Sequence, residues 1–234
     1  MSQLIRRARR AARIAGRRSV FVVLLMAPAV ALAGCTVLGV AASKLATVKV
    51  APAYHGLPGQ TVGVMVVVTD RGLQNDFPRL PVDAGRGIQS KIQTAIPTAG
   101  NELKGVRFLP DKSPEAMYAF QQNYPELMFE PATTIAPRLG VSRLIYVEVE
   151  SFQTHPESVP ELYRGMISAR LQVVEVTDGK AKVGYEERMQ SSYPKQSPEE
   201  GMPALGESKT YQGTLEAFTS AVLEKFVTHD EENH

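Results

Sequence analysis

The chain of 234 residues carries 26 lysines and arginines against 24 aspartates and glutamates. Seven of these arginines and none of the acids lie in the first 34 residues, so the rest of the chain has a net charge of about −5. An acidic chain without clustered basic residues argues against nucleic-acid binding, and a single cysteine excludes an intrachain disulfide. The residues after the leader suffice for one domain with a sizeable core.

The first segment has the layout of a signal peptide. An arginine-rich start precedes an apolar stretch from Val20 to Ala33. This stretch has 14 residues, whereas a helix that crosses a bilayer needs about 20. We therefore interpret residues 1–34 as an export signal. The pair Arg17-Arg18 leaves twin-arginine export open as an alternative to the general route.

The apolar stretch ends in Leu32-Ala33-Gly34-Cys35, which contains the only cysteine of the chain. This run resembles the lipobox of bacterial lipoproteins. The resemblance implies that a signal peptidase recognises Leu32, Ala33 and Gly34, and that acyl chains such as palmitate are attached to Cys35. Two or more chains anchor a protein durably, because each buried methylene contributes about 0.8 kcal/mol. The alternative is an unmodified thiol beside an ordinary signal or transmembrane segment.

The residue after Cys35 bears on the membrane in which the protein is located. Thr36 is not the aspartate that is associated with inner-membrane retention of enteric lipoproteins. The resemblance therefore favours the outer membrane of a bacterial cell envelope over the inner one, with the protein facing the periplasm.

The rest of the chain divides into three parts. Residues 35–59 are expected to form a lipidated amino terminus and tether, because they contain many small residues, prolines and glycines. Residues 60–228 are expected to form a single domain. Residues 229–234 form an acidic tail that is expected to fray, since its charges oppose the negative end of the preceding helix dipole.

The domain opens with an expected strand from Thr61 to Asp70. Its nearly continuous β-branched run is typical of a strand buried on both faces. Helical spacing of apolar residues predicts an amphipathic helix from Val82 to Ile96, and Gly105–Leu109 is expected to form a short strand.

The middle of the domain carries a clear helix start. Ser113 is expected to cap a helix that begins at Pro114 and continues to Asn123. A second helical segment is expected from Pro131 to Leu139. The strand that follows, Leu144–Phe152, is expected to place two alternating sets on opposite faces: Ile145, Val147 and Val149 on one, and Tyr146, Glu148, Glu150 and Phe152 on the other.

The carboxyl-terminal part predicts a hairpin followed by a helix. Leu162–Val176 and Ala181–Gln190 alternate, with Val183, Tyr185 and Met189 as the apolar set of the second strand, and the turn signal Thr177-Asp178-Gly179-Lys180 joins them. Residues 191–206 are rich in proline and polar residues and are expected to form a surface loop. Thr214 is expected to cap the final helix, whose apolar stripe is Leu215, Phe218, Val222 and Phe226.

This order predicts an α/β (α+β) fold, with a mixed sheet of about five strands and three or four helices packed on it. Three segments resemble the α/β domain of curli-secretion-type and related envelope-assembly lipoproteins and the amino-terminal domain of TolB. They are TVGVMVVVTD, IAPRLGVSRLIYVEVESF and RGMISARLQVVEVTDGKAKVGYEE. The resemblance implies a periplasmic module that docks on other envelope components.

Candidate catalytic groups are few. Glu148 and Glu150 share a strand face roughly 7 Å apart, as general acid–base catalysis would allow, but we favour a solvated strand face with Arg170 opposite. The four histidines show no metal-ligand spacing. Gly85-Arg86-Gly87 lacks the rest of a phosphate-loop motif and predicts helix packing. We expect no catalytic residue, metal or cofactor.

The region 117–129 is rich in large apolar side chains, which favours either a docking surface or a helix face over the sheet. Taken together, the sequence predicts a lipid-anchored, non-catalytic assembly, scaffolding or transport-accessory module. Its expected partners are the membrane, through acyl chains on Cys35, and envelope proteins or a second copy. The alternative is a carrier of a small ligand or lipid, with an apolar pocket beside the sheet.

Overall fold

The computed structural model describes residues 47–156, 161–195, 202–203 and 205–232. The chain divides into two units. One contains Ala51–His229, and the described parts of the other are residues 47–50 and 230–232. Within the described residues, no helix is both long and apolar enough to cross a membrane.

The described residues at the two ends of the chain form a two-stranded sheet. Strand β1 (Thr47–Val50) pairs with β7 (His229–Glu232). Residues 229–232 therefore form a strand, where the sequence analysis expected a fraying tail. The difference arises because the partner strand lies far away in sequence, within the segment expected to be a tether.

The main unit contains a five-stranded mixed sheet in the order β3-β2-β4-β5-β6. Its strands are β2 (Thr61–Val68), β3 (Arg107–Phe108), β4 (Arg143–Gln153), β5 (Gly165–Thr177) and β6 (Lys180–Tyr193). Strand β2 runs parallel to β3 and β4, whereas β4, β5 and β6 are antiparallel. The predicted fold class is confirmed.

The described residues of the main unit contain five α-helices: α1 (Arg71–Asp76), α2 (Leu80–Ala95), α3 (Pro114–Asn123), α4 (Ala132–Ile135) and α5 (Glu207–Glu224). Short 3₁₀ turns span Pro110–Lys112, Pro125–Phe129 and Ala136–Leu139. The Ser113 hydroxyl caps α3 by accepting from the Ala116 amide at 3.3 Å, as predicted. Helix α1 was not predicted. Asp70, expected in the preceding strand, caps it by accepting from the Leu73 amide at 2.7 Å.

Apolar side chains form two cores, one on each face of the sheet. Helices α2 and α5 cover the first core, which includes Val64, Val66, Ile145, Val147, Ile88 and Phe218. Helices α3 and α4 cover the second, which includes Met65, Val67, Leu144, Met117 and Ile135. Strand β2 contributes to both, so the prediction of a strand buried on both faces is confirmed.

Two β-bulges reverse the predicted facing of individual side chains. A register shift between Val149 and Ser151 moves Phe152 onto the face of the first core, where it packs edge-to-face on Phe77 at 4.7 Å. Another shift places Val183 opposite Val174, on the face away from Tyr185. The predictions for Phe152 and Val183 were therefore wrong, because a bulge inserts one residue into the alternation.

The hairpin turn itself follows the prediction. Asp178 and Gly179 have φ of 51° and 74°, the pair of positive values that a type I′ turn requires. Strand β6, however, continues to Tyr193, three residues into the segment that was expected to be a loop.

Helix α5 starts two turns before the predicted cap. Thr214 lies inside the helix, fully buried, and its hydroxyl donates to the Thr210 carbonyl oxygen at 2.7 Å. The prediction failed because these turns bury threonines, which break the apolar stripe. Helix α5 packs so closely on β5 at Thr214 that the facing strand residue, Gly165, has no room for a side chain. A Cβ on Gly165 would lie 1.6 Å from the Thr214 hydroxyl oxygen.

Candidate functional site

The expected anchor lies outside the described residues. Leu32, Ala33, Gly34 and Cys35 all precede residue 47, so lipidation stays a prediction from the sequence. Residues 47–59 of the expected tether are described, and residues 51–59 belong to the main unit. Tyr54 is 8% exposed and Leu57 is 1% exposed. Residues 54–57 therefore belong to the packed unit.

Glu148 and Glu150 both lie beside arginines. Glu148 is the register partner of Arg170, and their charged atoms are 3.7 Å apart. Glu150 lies at the β4 bulge, 3.4 Å from the guanidinium of Arg188. Such half-exposed pairs are typical of a solvated strand face.

The described histidines do not come together. The ring Nδ1 of His155 lies 3.0 Å from the Leu162 carbonyl oxygen, and that of His229 lies 3.2 Å from the Val227 carbonyl oxygen. His55 is exposed. Across residues 47–156, 161–195 and the described part beyond, no group of three histidine, cysteine or acidic residues is arranged to hold a metal ion.

The Gly85-Arg86-Gly87 run is a packing feature of α2. A Cβ on Gly85 would lie 3.2 Å from a side-chain carbon of Pro114, and one on Gly87 would lie 2.8 Å from a methyl of Thr219. Arg86 pairs with Glu115. The two glycines allow α3 and α5 to approach α2, in agreement with the sequence interpretation.

A partly buried polar cluster joins the amino-terminal segment of the main unit to the sheet. The Tyr54 hydroxyl donates to Glu175 Oε1 at 2.8 Å and accepts from Arg143 Nε at 3.0 Å. The Tyr54 amide donates to the Lys225 carbonyl oxygen at 3.0 Å. The sequence analysis missed this cluster, since its members are separated by tens of residues and form no motif.

The cluster shifts the acidity of its members. Burial and the hydrogen bond to Glu175 raise the pKa of Tyr54 to about 12. The same hydrogen bond, helped by Lys182, holds the pKa of Glu175 below its usual range. At neutral pH the cluster therefore contains a neutral phenol and a charged carboxylate.

One open groove runs between the end of β6 and α5. Its volume is about 570 Å³, and small residues of α5 form one wall: Gly213, Ala217, Ser220 and Ala221. The opposite wall is the last part of β6, from Gln190 to Tyr193. Since β6 ends the strand order, one side of this strand lacks a strand partner within the described residues.

A second groove, which we call the β2 groove, lies at the carboxyl end of β2, beside the last turn of α3. Its volume is about 330 Å³. The residues that line it include Thr69, Arg71, Gln74, Gln121, Gln122 and Phe129. The Gln121 amide nitrogen donates to the Val66 carbonyl oxygen at 2.9 Å, and the Gln74 amide nitrogen donates to the Val68 carbonyl oxygen.

The aromatic-rich region 117–129 contains both buried and exposed side chains. Met117 is 2% exposed and Leu127 is 6% exposed, so they cover the sheet in the second core. Tyr124 is 48% exposed and Phe129 is 89% exposed. This part of the chain therefore supplies core residues and also a protruding apolar side chain.

Comparison of the sequence with protein families and with curated proteins finds no match. Three solved structures are similar in arrangement. A PelC dodecamer from Paraburkholderia phytofirmans has 12% identity and a TM-score of 0.41, covering 79% of this chain and 98% of that one. A hypothetical protein from Chlamydia trachomatis has 13% identity and a TM-score of 0.39, covering 71% and 97%. A lipoprotein from Neisseria meningitidis has 15% identity and a TM-score of 0.36, covering 70% and 94%.

Both the identities and the TM-scores are low. These similarities therefore assign no function to this chain.

Proposed function

We propose that the chain is a lipid-anchored, non-catalytic assembly module of a bacterial cell envelope, facing the periplasm. The observation that carries this proposal is the run Leu32-Ala33-Gly34-Cys35 directly after an arginine-rich and apolar leader. A short apolar segment that ends in small residues and a single cysteine has the features that lipidation requires. The outer membrane is the favoured location.

The charged strand face supports a role without catalysis. Glu148 and Glu150 are the best carboxylate candidates in the sequence, and each lies within 4 Å of an arginine, at 3.7 Å and 3.4 Å. A paired carboxylate on an open strand face lacks the apolar surroundings that prepare a general acid or base for catalysis.

The free edge of β6 supports a docking role. An edge strand exposes backbone donors and acceptors that can pair with another chain. Charges such as Lys182 and Arg188 lie along the first part of β6, whereas Gln190–Tyr193 are uncharged and adjoin the α5 groove. We take a second copy of the chain as the occupant of this edge, with another envelope protein as the other outcome of the test.

The anchor is tested by feeding cells an alkyne analogue of palmitate and measuring its incorporation into the full chain. We expect labelling of the wild type and of the control Thr36→Ser, with loss in Cys35→Ser. Labelling that survives in Cys35→Ser would contradict lipidation at this residue. Fractionation of inner and outer membranes from the same cells then tests the location.

The docking role is tested by a pull-down from detergent-solubilised envelopes, with proteins and lipids identified together. Recovery of a second tagged copy or of stoichiometric envelope proteins supports an assembly module. Bound lipid without any partner protein would instead favour the carrier alternative and overturn the first choice.

The edge is tested by Ala217→Arg, which places a long charged side chain in the groove beside β6. The matched control is Gln212→Arg, which adds the same side chain at an exposed position of the same helix. We expect only Ala217→Arg to abolish association. Equal association of both variants would exclude this edge.

A further inference from the structure

We propose that the β2 groove binds the carboxyl-terminal residues of a peptide or protein, with the terminal carboxylate held by Arg71. None of the residues that line this groove belongs to the run Leu32–Cys35 or to β6. The anchor and edge experiments can therefore fail without affecting it.

The position of the groove in the sheet is the first argument. Strand β2 lies between β3 and β4, so the chain first adds a strand on one side of β2 and later adds one on the other. In open α/β sheets, ligands bind outside the carboxyl ends of parallel strands where the strand order reverses in this way. Val67 and Val68, which end β2, and Thr69, which follows it, line the groove.

The charge of the groove is the second argument. Among the described residues that line it, Arg71 alone carries a charge. Arg71 is exposed, and no ion pair joins it to another residue in the described part of the chain. By contrast, Arg86 is held by Glu115. An exposed guanidinium that takes no part in the ion pairs of the described residues matches a carboxylate, which it binds with two parallel hydrogen bonds.

The amide side chains supply the third argument. Gln74 and Gln121 use their amide nitrogens to bind carbonyl oxygens of β2, and each keeps a side-chain oxygen that accepts hydrogen bonds. Gln122 is exposed and adds an amide with both donor and acceptor groups. The ligand that fits such a lining donates N–H groups close to its carboxylate, as the last residues of a polypeptide do.

The apolar wall is the fourth argument. Phe129 is 89% exposed and lines the groove together with Met128 and Pro125. An apolar side chain near the ligand terminus would remove part of the Phe129 ring from water. The volume of about 330 Å³ is at the lower end for ligand pockets, which suits a few residues of an extended peptide.

The experiment uses the full chain, immobilised in detergent, and two pools of synthetic hexapeptides with three randomised carboxyl-terminal residues. One pool ends in a free carboxylate and the other in a carboxamide. Retained peptides are quantified by mass spectrometry. We expect about tenfold higher retention of the carboxylate pool, with enrichment of apolar last residues, because a single charge-assisted contact changes affinity by about that factor.

Variants assign the effect to the groove. Arg71→Gln should remove the preference for the carboxylate pool, whereas the matched control Arg138→Gln, at another exposed arginine, should keep it. Phe129→Ser should remove the enrichment of apolar last residues while leaving the carboxylate preference. All three positions are exposed, so thermal unfolding should confirm that the variants remain folded.

Equal retention of both pools would overturn the proposal, as would a preference that survives Arg71→Gln. Absence of retention for both pools at millimolar peptide would overturn it as well.

Discussion

Gln121 donates its side-chain amide to the carbonyl oxygen of Val66 at 2.9 Å, in the place where a neighbouring strand would otherwise supply a donor. Strand β3 pairs only with Thr61 and Val62. The Arg107 amide donates to the Gln60 carbonyl oxygen, and every second carbonyl of a strand points to the same side. The carbonyl groups of Val66 and Val68 therefore face the same way, beyond the end of β3, and glutamines cap them.

The first prediction concerns this cap. Gln121→Leu should lower the free energy of unfolding by about 1–3 kcal/mol, because a buried carbonyl group loses its donor. Gln122→Leu, at the exposed neighbouring position, is the control and should change stability by less than about 0.5 kcal/mol. Urea denaturation measures both. If Gln121→Leu lowered the stability no more than Gln122→Leu does, the Val66 carbonyl group would have found another donor.

The second prediction concerns the pH dependence of the Tyr54–Glu175 contact. The pKa of Glu175 is lowered in the folded state, chiefly by the Tyr54 hydroxyl, so its contribution to stability exists above the unfolded pKa and disappears as pH falls through the folded one. Glu175→Gln should cost about 1.5–3 kcal/mol at pH 7, since hydrogen bonds to charged groups contribute this much. Most of that cost should vanish under acidic conditions.

Denaturant unfolding at a series of pH values measures this difference. Glu161→Gln, at an exposed acid, serves as the control and should show little cost at any pH. A cost for Glu175→Gln that stays constant into the acid range would contradict the assigned role of the carboxylate.

The third prediction concerns the crossing of α2 and α5. Gly87→Ala should destabilise by about 1–3 kcal/mol, although alanine favours a helix, because its Cβ would lie 2.8 Å from a methyl group of the buried Thr219. Thr219 is β-branched and has little rotamer freedom in a helix to move that methyl away. Thermal unfolding measures the change.

A double variant separates crowding from other causes. Thr219→Ser removes the crowded methyl, so Gly87→Ala should cost less in its presence. Ser90→Ala, at an exposed position of α2, should be neutral or slightly stabilising. Equal costs of Gly87→Ala with and without Thr219→Ser would exclude the crowding explanation.

The fourth prediction compares a buried and an exposed side chain of the aromatic-rich region 117–129. Leu127→Ala should destabilise by about 2–5 kcal/mol, since Leu127 is 6% exposed within the second core. Phe129→Ala should remain within about 0.5 kcal/mol of the wild type, since this ring is 89% exposed. A large decrease in the free energy of unfolding for Phe129→Ala, measured by chemical denaturation, would indicate that the ring supports the fold instead of being available to a ligand.

Local signals in the sequence predicted much of the fold. The β-branched run of β2, the Ser113 cap of α3 and the Asp178-Gly179 turn each act through neighbours within a few residues. Their geometry follows from side-chain shape, local hydrogen bonds and turn conformation. The structure confirms these elements, together with the mixed sheet that their order implies.

Long-range pairing decided what the sequence analysis missed. The bulge at Val149–Ser151 depends on how β4 meets β5, and the buried threonines of α5 depend on the close approach of Gly165. The packing of Tyr54 depends on Arg143 and Glu175, far along the chain. None of these features has a periodic or contiguous pattern, because the contacting residues are distant in sequence.

The candidate sites divide in the same way. The prediction of lipidation at Cys35 comes from the sequence by itself, since processing of this kind would depend on a run of neighbouring residues and not on the fold of the domain. Only the tertiary structure brought Arg71 and Phe129 together with the glutamines at the end of β2. The residues that line this groove come from separate segments of the chain, so their spacing in the sequence does not predict it.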